Sequence, residues 1–430
     1  MNSPYRTSST TRHPTADAAS RAFTRQDLVW LTAIVVIGIN LRPLLTSISP
    51  LMTTIRTATG LSFYSASLLT SLPVVAMGIG AFGAAALARW VGETRGVALG
   101  LLAIALACAA RWVAASGVAL LMTATLAGVG VAAIQALLPA VLKQRFHARV
   151  PLAMGVFSAS IMGGGGLGAR LSPMVGSAFD SWHAALAVWA LPAIAALFCW
   201  LGLNRTSNDA PAQPATAYAV ASPSLWRKRR AWTLGLYFGI VNGGYTSLVA
   251  WLPAFYQQHG VSVADSGSLL ASMTVFQAAA ALLLPLAAAP FRDRRPWLLL
   301  GLSAQLAGLL GLILCPDAAP LLWVGVAGAG LGGTFSLTLV TAMDHSAHSA
   351  VAGKLVAFTQ GVGFVVAAIA PVVAGIVRGW SGSFEAAWIM LAVSVGIMLL
   401  VTLLFSPGSY LRWLAANNRV ESSASTRTCH

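Results

Sequence analysis

The chain has 430 residues, of which 57% are hydrophobic and only 9% are charged, and its formal net charge is +15. A soluble protein of this size has about a quarter of its residues charged, so the composition excludes a soluble enzyme or a soluble nucleic-acid-binding protein. Its apolar runs reach the length of about 20 residues that a helix needs to cross a bilayer, which predicts an integral membrane protein.

Twelve apolar segments follow one another along the chain, each long enough for a transmembrane helix. Glycine and proline are frequent inside them, as is ordinary in membrane helices, because neighbouring helices satisfy the freed backbone groups. The sequence predicts an all-α membrane protein with twelve transmembrane helices, at residues 28–50, 65–88, 97–115, 118–141, 151–177, 183–203, 231–256, 266–289, 297–315, 319–341, 352–378 and 384–405.

Basic residues are divided unequally between the two sets of connections. Of the 26 lysines and arginines, 21 lie in the tails and the even-numbered connections, whereas the odd-numbered connections hold only Arg56, Arg111 and Arg378. Cytoplasmic segments of membrane proteins carry the excess of basic residues. The asymmetry predicts a multi-pass protein of the inner (plasma) membrane with both termini in the cytoplasm, and it accounts for the positive charge without nucleic acid.

Neither the cysteines nor the polar residues of the segments indicate a catalytic or metal site. The four cysteines are widely separated and form no Cys-x-x-Cys pair, a spacing that offers neither a zinc site nor a disulfide framework. No nucleophile–base pair lies near the middle of a segment, and the chain has no phosphate-binding loop. We therefore expect no metal, no cofactor and no enzymatic activity.

Short sequence matches connect the two halves of the chain. They share an offset of 201 to 203 residues: SASLL at 65–69 with SGSLL at 266–270, AGVG at 127–130 with AGLG at 329–332, and Pro50 with Pro253. Two parallel repeats of six helices are a layout found in secondary transporters. The predicted domains are a cytoplasmic tail (1–27), an N-terminal six-helix bundle (28–203), a cytoplasmic linker (204–230), a C-terminal six-helix bundle (231–405) and a second tail (406–430).

Several motifs resemble those of one transporter family. They are NLRP at 40–43 followed by SPL at 49–51, LLTSLPV at 68–74, QALLP at 135–139, WLPA at 251–254 and TQGVG at 359–363. On these residues the chain resembles the major facilitator superfamily and, within it, the cyanate / 2-nitroimidazole transporter family. The resemblance covers nearly all of 28–405, and it implies the major facilitator fold and transport of a small anion or polar planar solute.

Other signatures of the superfamily are degraded. Arg89 stands where the loop after the second segment usually has an aspartate, and Ala124 replaces the arginine of the fourth segment. Met162 and the four glycines at 163–166 replace the Gly-Pro antiporter motif. These departures weaken the transfer of a proton/drug antiport mechanism, but they leave the expected fold unchanged.

Arg42 is the most informative residue of the sequence. It lies near the middle of the first segment, where an ionised side chain is costly and indicates function, and its guanidinium stays charged. None of the eleven acidic residues lies near the middle of a segment, so the partners open to Arg42 are water, backbone carbonyls, polar side chains or an anionic ligand. Pro43 is expected to bend the helix beside it.

Further residues are predicted to complete a substrate-binding site with Arg42. The repeat offset places Tyr245 opposite Arg42 across the two bundles, where its hydroxyl and ring can close a cavity on a small planar substrate. Four amide side chains near the middle of their segments are predicted to line the same cavity: Asn40, Asn242, Gln135 and Gln360. For each amide the alternative is a hydrogen bond to a neighbouring helix that serves packing alone.

The sequence thus predicts a monomeric carrier in the lipid bilayer that moves a small anion or polar planar solute by alternating access. The alternative is a multidrug or metabolite exporter of the same fold, with a broad apolar cavity that tolerates the loss of Arg42. The sequence leaves open the identity of the substrate, the direction of transport and the coupling ion.

Overall fold

A computed structural model describes residues 24–146, 149–206, 223–345 and 349–410. Throughout these ranges the chain is helical and contains no β-strand, and eleven helices are long and apolar enough to cross a membrane. Large apolar side chains lie on the outside, for example Leu283 and Leu286, each 61% exposed. A lipid-facing surface accounts for this exposure, and the predicted all-α membrane protein is confirmed.

In the first half, α4 and α5 both pack against α6, and α7 packs against α1. A 3-10 turn, Ser49–Leu51, connects α2 to α3. The helices of this half are α1 (Arg25–Ile39), α2 (Pro43–Thr46), α3 (Met52–Thr59), α4 (Phe63–Val91), α5 (Glu93–Ala110), α6 (Gly117–Phe146), α7 (Val150–Ala178), α8 (Trp182–Ala187) and α9 (Ala190–Thr206).

The second half repeats this arrangement. Its helices are α10 (Pro223–Trp226), α11 (Arg229–Gln258), α12 (Val263–Ala288), α13 (Arg295–Leu314), α14 (Pro320–Asp344), α15 (Ser349–Ala367), α16 (Ile369–Ser381) and α17 (Glu385–Thr402). Here α12 and α13 pack against α14, as α4 and α5 pack against α6. The halves meet where α7 packs on α12 and where α4 packs on α15 and α16.

Matched local geometry supports the predicted repeat. Gly60 and Gly260 both have positive φ, +68° and +83°, a conformation that L-residues with a side chain rarely adopt. Two residues later, Ser62 and Ser262 cap α4 and α12 by accepting a backbone N–H at 3.0 Å. The parallel-repeat architecture is confirmed. Most of the predicted linker and tails lies outside the described residues.

The seventh predicted segment, 231–256, is the helix α11, which is 30 residues long but less apolar than the eleven others. Its middle carries Asn242, Tyr245, Thr246 and Ser247, and all four are buried. The helix packs against helices of both halves. Because it has little contact with lipid, it can hold polar residues that an outer helix could not.

Three of the transmembrane segments, the first, the sixth and the eleventh, are broken near a proline. In the first, α1 ends at Ile39 and α2 begins at Pro43, as the proline predicted. In the sixth, α8 ends at Ala187 and α9 begins at Ala190, two residues before Pro192.

In the eleventh segment, α15 ends at Ala367, four residues before Pro371. Pro371 has no N–H to donate to the carbonyl of Ala367, and its ring crowds that carbonyl. The hydroxyl of Thr246 donates to the Ala367 carbonyl at 2.7 Å, so the freed acceptor is satisfied from α11.

Candidate functional site

Arg42 lies in the break between α1 and α2 and is 7% exposed. Pro43 has no backbone N–H to donate to the carbonyl of Ile39, which favours a break at this point, although Pro73 and Pro139 lie inside continuous helices. The guanidinium is therefore carried by an irregular stretch of backbone at the centre of the protein. Unwound helices at this depth are tolerated where they line a cavity.

The guanidinium of Arg42 faces Tyr245 on α11. Its Nη1 donates to the Tyr245 hydroxyl at 3.1 Å, and its Cζ lies 5.0 Å from the centre of the tyrosine ring. Its Nε is buried and has no hydrogen-bond partner among the residues that the structure describes. Among the described residues no carboxylate forms an ion pair with Arg42, so its charge is compensated only by a hydroxyl and an aromatic face.

Arg42 lies at the deep end of a cavity of about 830 Å³ that is formed by helices of both halves. Most of its wall is apolar, and the polar side chains are few. They are Arg42, Gln135, Lys143, Ser158, Ser336 and Gln360. In the described part of the chain, the lining thus includes two cations and no carboxylate. A cavity with this charge pattern favours an anion over a cation.

A smaller cavity adjoins Arg42 on the side of α11. It is lined by Asn242, Tyr245, Thr246 and Gln277 together with apolar side chains. The carbonyl oxygen of the Gln277 side chain is buried there without a hydrogen-bond partner. Arg42 borders both cavities, so polar groups from the two halves converge on this residue.

The structure brings five of the six predicted residues around the two cavities. Arg42 and Tyr245 are in contact, and Gln135 and Gln360 line the larger cavity. Asn242 lines the smaller cavity, although its Nδ2 donates to the Phe238 carbonyl one turn earlier at 2.8 Å. These positions are compatible with the predicted site.

Asn40 is placed elsewhere. Its Nδ2 donates to the Val36 carbonyl at 2.7 Å and to the Pro192 carbonyl on α9 at 3.1 Å, and it lines neither cavity. The helix ends at this position, which turns the amide away from Arg42 and toward α9. The prediction that Asn40 faces the cavity is therefore corrected: its side chain joins two helices, which is the packing alternative.

Several polar residues of the cavities were not predicted, and Lys143 and Gln277 are the most informative of them. Lys143 was counted only as a basic residue near the end of a segment, yet it lies four residues after Pro139 and eight after Gln135, and all three line the larger cavity. Residues spaced by four share a helix face, so this spacing was a usable signal. Gln277 is a single amide in a long apolar run, and it gave no comparable signal.

The larger cavity opens toward only one end of the protein. Its lining continues to Lys143 on α6 and Gly353 on α15. Arg230 and Arg294 lie at the same end of the protein, which is called the basic end. At the other end, called the opposite end and marked by Arg56, Gln257 and Arg378, the two halves are joined.

Two polar contacts close the opposite end. The Ser49 hydroxyl donates to the Val249 carbonyl, and Gln257 Nε2 donates to the Pro50 carbonyl at 2.7 Å. Both contacts join the 3-10 turn of the first half to α11 of the second half. The structure is thus open at one end and closed at the other.

Comparisons with known proteins agree with this architecture. The family model described as Major Facilitator Superfamily matches residues 29–371. The chain is 48% identical over 379 residues to the cyanate transport protein CynX of Escherichia coli (strain K12), which covers 88% of this chain and 97% of the relative. It is 31% identical to the 2-nitroimidazole transporter of the same organism, over 88% of this chain and 94% of that protein.

Solved structures of transporters are similar in fold. A bacterial homologue of the human lysosomal transporter Spinster superimposes with a TM-score of 0.71 at 16% identity, covering 91% of this chain and 98% of that one. A D-xylose–proton symporter superimposes with a TM-score of 0.68 at 14% identity, covering 88% and 97%. At such low identity these structures support the fold alone.

Proposed function

The chain belongs to the Major Facilitator Superfamily and is a membrane transporter of small solutes, and we propose that it carries a small anion of the cyanate class, with Arg42 as the group that binds the cargo. Its similarity to a protein named for cyanate transport supports this class of cargo. The relatives are transporters, and no catalytic step is part of the proposal.

The observation that carries the proposal is the charge state of the cavity. A cation as buried as Arg42 is costly unless an opposite charge accompanies it. Its Nε has no partner, and Tyr245 occupies one of its other nitrogens. A small anion at the deep end of the cavity would supply the missing charge and would accept the free N–H groups.

The placement of Arg42 and Tyr245 suggests how binding is linked to movement. Arg42 belongs to the first half, and Tyr245 and Gln360 belong to the second, so a cargo bound to Arg42 in the larger cavity lies against both bundles. In alternating access the bundles rock around such a central site. The described cavity lining contains no carboxylate that could relay protons, and transport would then follow the gradient of the cargo itself or its exchange.

The orientation in the membrane is part of the proposal. The excess of basic residues assigns both termini and the basic end to the cytoplasm, so the cavity of this structure faces inward. Both halves of the chain contribute residues around Arg42, and the proposed transporting unit is a monomer.

The direct test is uptake of radiolabelled cyanate into proteoliposomes. We expect Arg42→Gln to reduce uptake by about 30-fold or more, because removing one partner of a buried charge pair costs about 2–5 kcal/mol or more. Arg42→Lys keeps the charge but loses the paired N–H groups, so its uptake should be intermediate. Arg170→Gln, which removes an exposed arginine of α7, should leave uptake unchanged.

Uptake by Arg42→Gln that equals that of the parent protein would refute the role of Arg42. The same preparation should be tested with 2-nitroimidazole, because a relative is named for that solute.

Export of larger apolar solutes is a second candidate function. It is favoured by the volume of the cavity, about 830 Å³, which lies within the range of drug-binding pockets and exceeds what a three-atom anion fills. Apolar side chains such as Met77, Phe335 and Phe364 form its wall. If cells that express Arg42→Gln still resist bulky hydrophobic drugs, export is the better assignment.

A further inference from the structure

Two arginines of opposite halves share one aromatic ring at the opposite end. Arg56 lies on α3 in the first half and Arg378 on α16 in the second half. The guanidinium carbon of Arg56 is 3.3 Å from the centre of the Phe63 ring, and that of Arg378 is 4.7 Å from the same centre. The two cations are therefore no more than about 8 Å apart, within the range of direct charge repulsion.

Neither arginine is neutralised by a described side chain. The ion pairs of the described residues do not include Arg56 or Arg378. Arg56 donates its Nε to the Leu61 carbonyl at 3.2 Å, whereas the Nε of Arg378 is buried without a partner. Two cations thus lie at the junction of the halves, and they have N–H groups that could donate further hydrogen bonds.

A small cavity adjoins Arg56 and the Phe63 ring, which Arg378 also contacts from outside the cavity lining. Its volume is about 130 Å³, and its lining includes Arg56, Phe63, Trp251 and Gln257. Gln257 is the residue that bonds to the Pro50 carbonyl and so joins the halves. The cavity therefore lies at the closure itself, at the far end of the molecule from the mouth of the larger cavity.

We propose that Arg56 and Arg378 form a second anion-binding site, which holds the opposite end closed when a small monovalent anion occupies it. Without an anion, the two cations repel each other across the junction and favour separation of the halves. An anion between them attracts both. Guanidinium groups are weakly hydrated, and the neighbouring rings are apolar. The site therefore fits a weakly hydrated anion such as thiocyanate better than a bulky hydroxylated anion such as gluconate.

The site is independent of Arg42, and the test keeps the two apart. Ala254 lines the small cavity and is 6% exposed, so the thiol of Ala254→Cys becomes reactive when the opposite end opens. It is introduced into a protein in which the four native cysteines are replaced (Cys108→Ala, Cys199→Ser, Cys315→Ser and Cys429→Ser). Its alkylation rate is then measured in thiocyanate and in gluconate. All measurements are repeated with Arg42→Gln to disable the central site.

We expect alkylation to be slower in thiocyanate by about five-fold, the lower range of typical coupling between sites, with or without Arg42→Gln. Arg378→Gln and Arg56→Gln should each abolish the anion dependence, and Arg170→Gln, which removes an exposed arginine, should retain it. Anion dependence that survives both Arg56→Gln and Arg378→Gln overturns the proposal.

Two other results also count against it. If the anion dependence disappears with Arg42→Gln, the effect belongs to the central site. If the parent protein shows no anion dependence and Arg378→Gln only accelerates alkylation, the arginines act as a cation–π clamp on Phe63 and no anion is involved.

Discussion

At the level of single residues, burial alone does not explain why Arg42 is the arginine proposed to bind the cargo. Arg111 is more deeply buried than Arg42, with no exposed surface, and two of its nitrogens have no described partner. Its Nε donates to the Thr123 hydroxyl at 3.3 Å, and it lines neither cavity near Arg42. Arg42 differs from Arg111 because it lines the larger cavity, and only the folded structure reveals this.

The hydroxyl of Tyr245 should be required to orient Arg42. Tyr245→Phe keeps the ring but removes the 3.1 Å hydrogen bond. Because a hydrogen bond to a charged group contributes about 1.5–3 kcal/mol, we expect the half-saturating concentration of cyanate uptake to rise about ten-fold or more. The measurement is the concentration dependence of uptake in proteoliposomes.

Tyr237→Phe is the matched control for this change. It removes a buried hydroxyl of the same helix, one that is bonded to Thr402 at 2.8 Å and is absent from both cavities. It should lower thermal stability and leave the half-saturating concentration unchanged. An unaltered concentration dependence in Tyr245→Phe would show that the contact with Arg42 is structural.

The residues of the site were predictable to different degrees. Arg42 follows from the cost of a charge in a membrane segment, and Tyr245 follows from the repeat, because equivalent positions of the two halves face each other. The direction of Asn40 could not be derived, since it depends on how the helix ends before Pro43. Gln277 became visible only when the packing of α12 was known.

At the level of the helices, the four-glycine run in α7 has positions with different roles. A Cβ on Gly164 would lie 2.2 Å from the carbonyl oxygen of Ile39, the last residue of α1. A Cβ on Gly163 would meet nothing within 4 Å. Gly164 therefore allows α7 to approach the end of α1 closely, next to the carbonyl of Ile39, to which Pro43 cannot donate a hydrogen bond.

Gly164→Ala should accordingly lose both stability and transport. The contact is with backbone, which cannot rotate away, and overpacking of this kind costs about 1–3 kcal/mol. Displacement of Ile39 would also move Arg42 from its place in the cavity. Gly163→Ala should have little effect on either property. Thermal unfolding and cyanate uptake of the two variants provide the comparison, and equal behaviour would contradict this account of the run.

At the basic end, α11 is tied to the end of α14 through His345. Arg230 donates its Nε to His345 Nε2 at 2.9 Å, and His345 Nδ1 donates to the Thr341 carbonyl at 2.7 Å. These bonds require a neutral imidazole with its proton on Nδ1. Burial lowers the pKa of His345 from 6.5 to about 4, and the nearby Arg230 contributes to the shift.

This pKa predicts a loss of stability in mild acid. Between pH 6.5 and about 4 the unfolded chain binds a proton on His345 that the folded chain does not, so stability falls as the pH is lowered through this range, by up to about 3 kcal/mol. His345→Gln should reduce the pH dependence of the melting temperature. His259→Gln, at a partly exposed histidine beside Asp317, should retain it. An unchanged pH profile in His345→Gln would contradict the prediction.

The number and order of the helices were largely predictable, because length and apolarity determine which segments can span a bilayer. The breaks in the first and eleventh segments follow from Pro43 and Pro371. The burial of α11 was harder to predict from the sequence. Its polar residues are explained by its contacts with both halves, and these contacts are seen only in the folded structure.

At the level of the whole molecule, the two halves approach each other closely where α12 meets α7 at the opposite end. A Cβ on Gly267 of α12 would lie 2.4 Å from the Ala169 carbonyl oxygen, 3.1 Å from Pro173 Cγ and 3.3 Å from Pro50 Cγ. All three atoms belong to the first half. A glycine at this position permits the closed contact, which any side chain would push apart.

Gly267→Ala should therefore shift the protein toward opening at the opposite end. Overpacking by one methyl costs about 1–3 kcal/mol, and this cost falls on the closed junction but is relieved when the halves separate. A difference of this size changes a two-state population by about ten-fold. The alkylation rate of the Ala254→Cys thiol should rise accordingly. The control is Gly379→Ala, at an exposed position where a Cβ would meet no atom within 4 Å. It should leave the alkylation rate unchanged. A lower melting temperature with unaltered alkylation would mean that the clash is absorbed within α12 and that the junction stays closed.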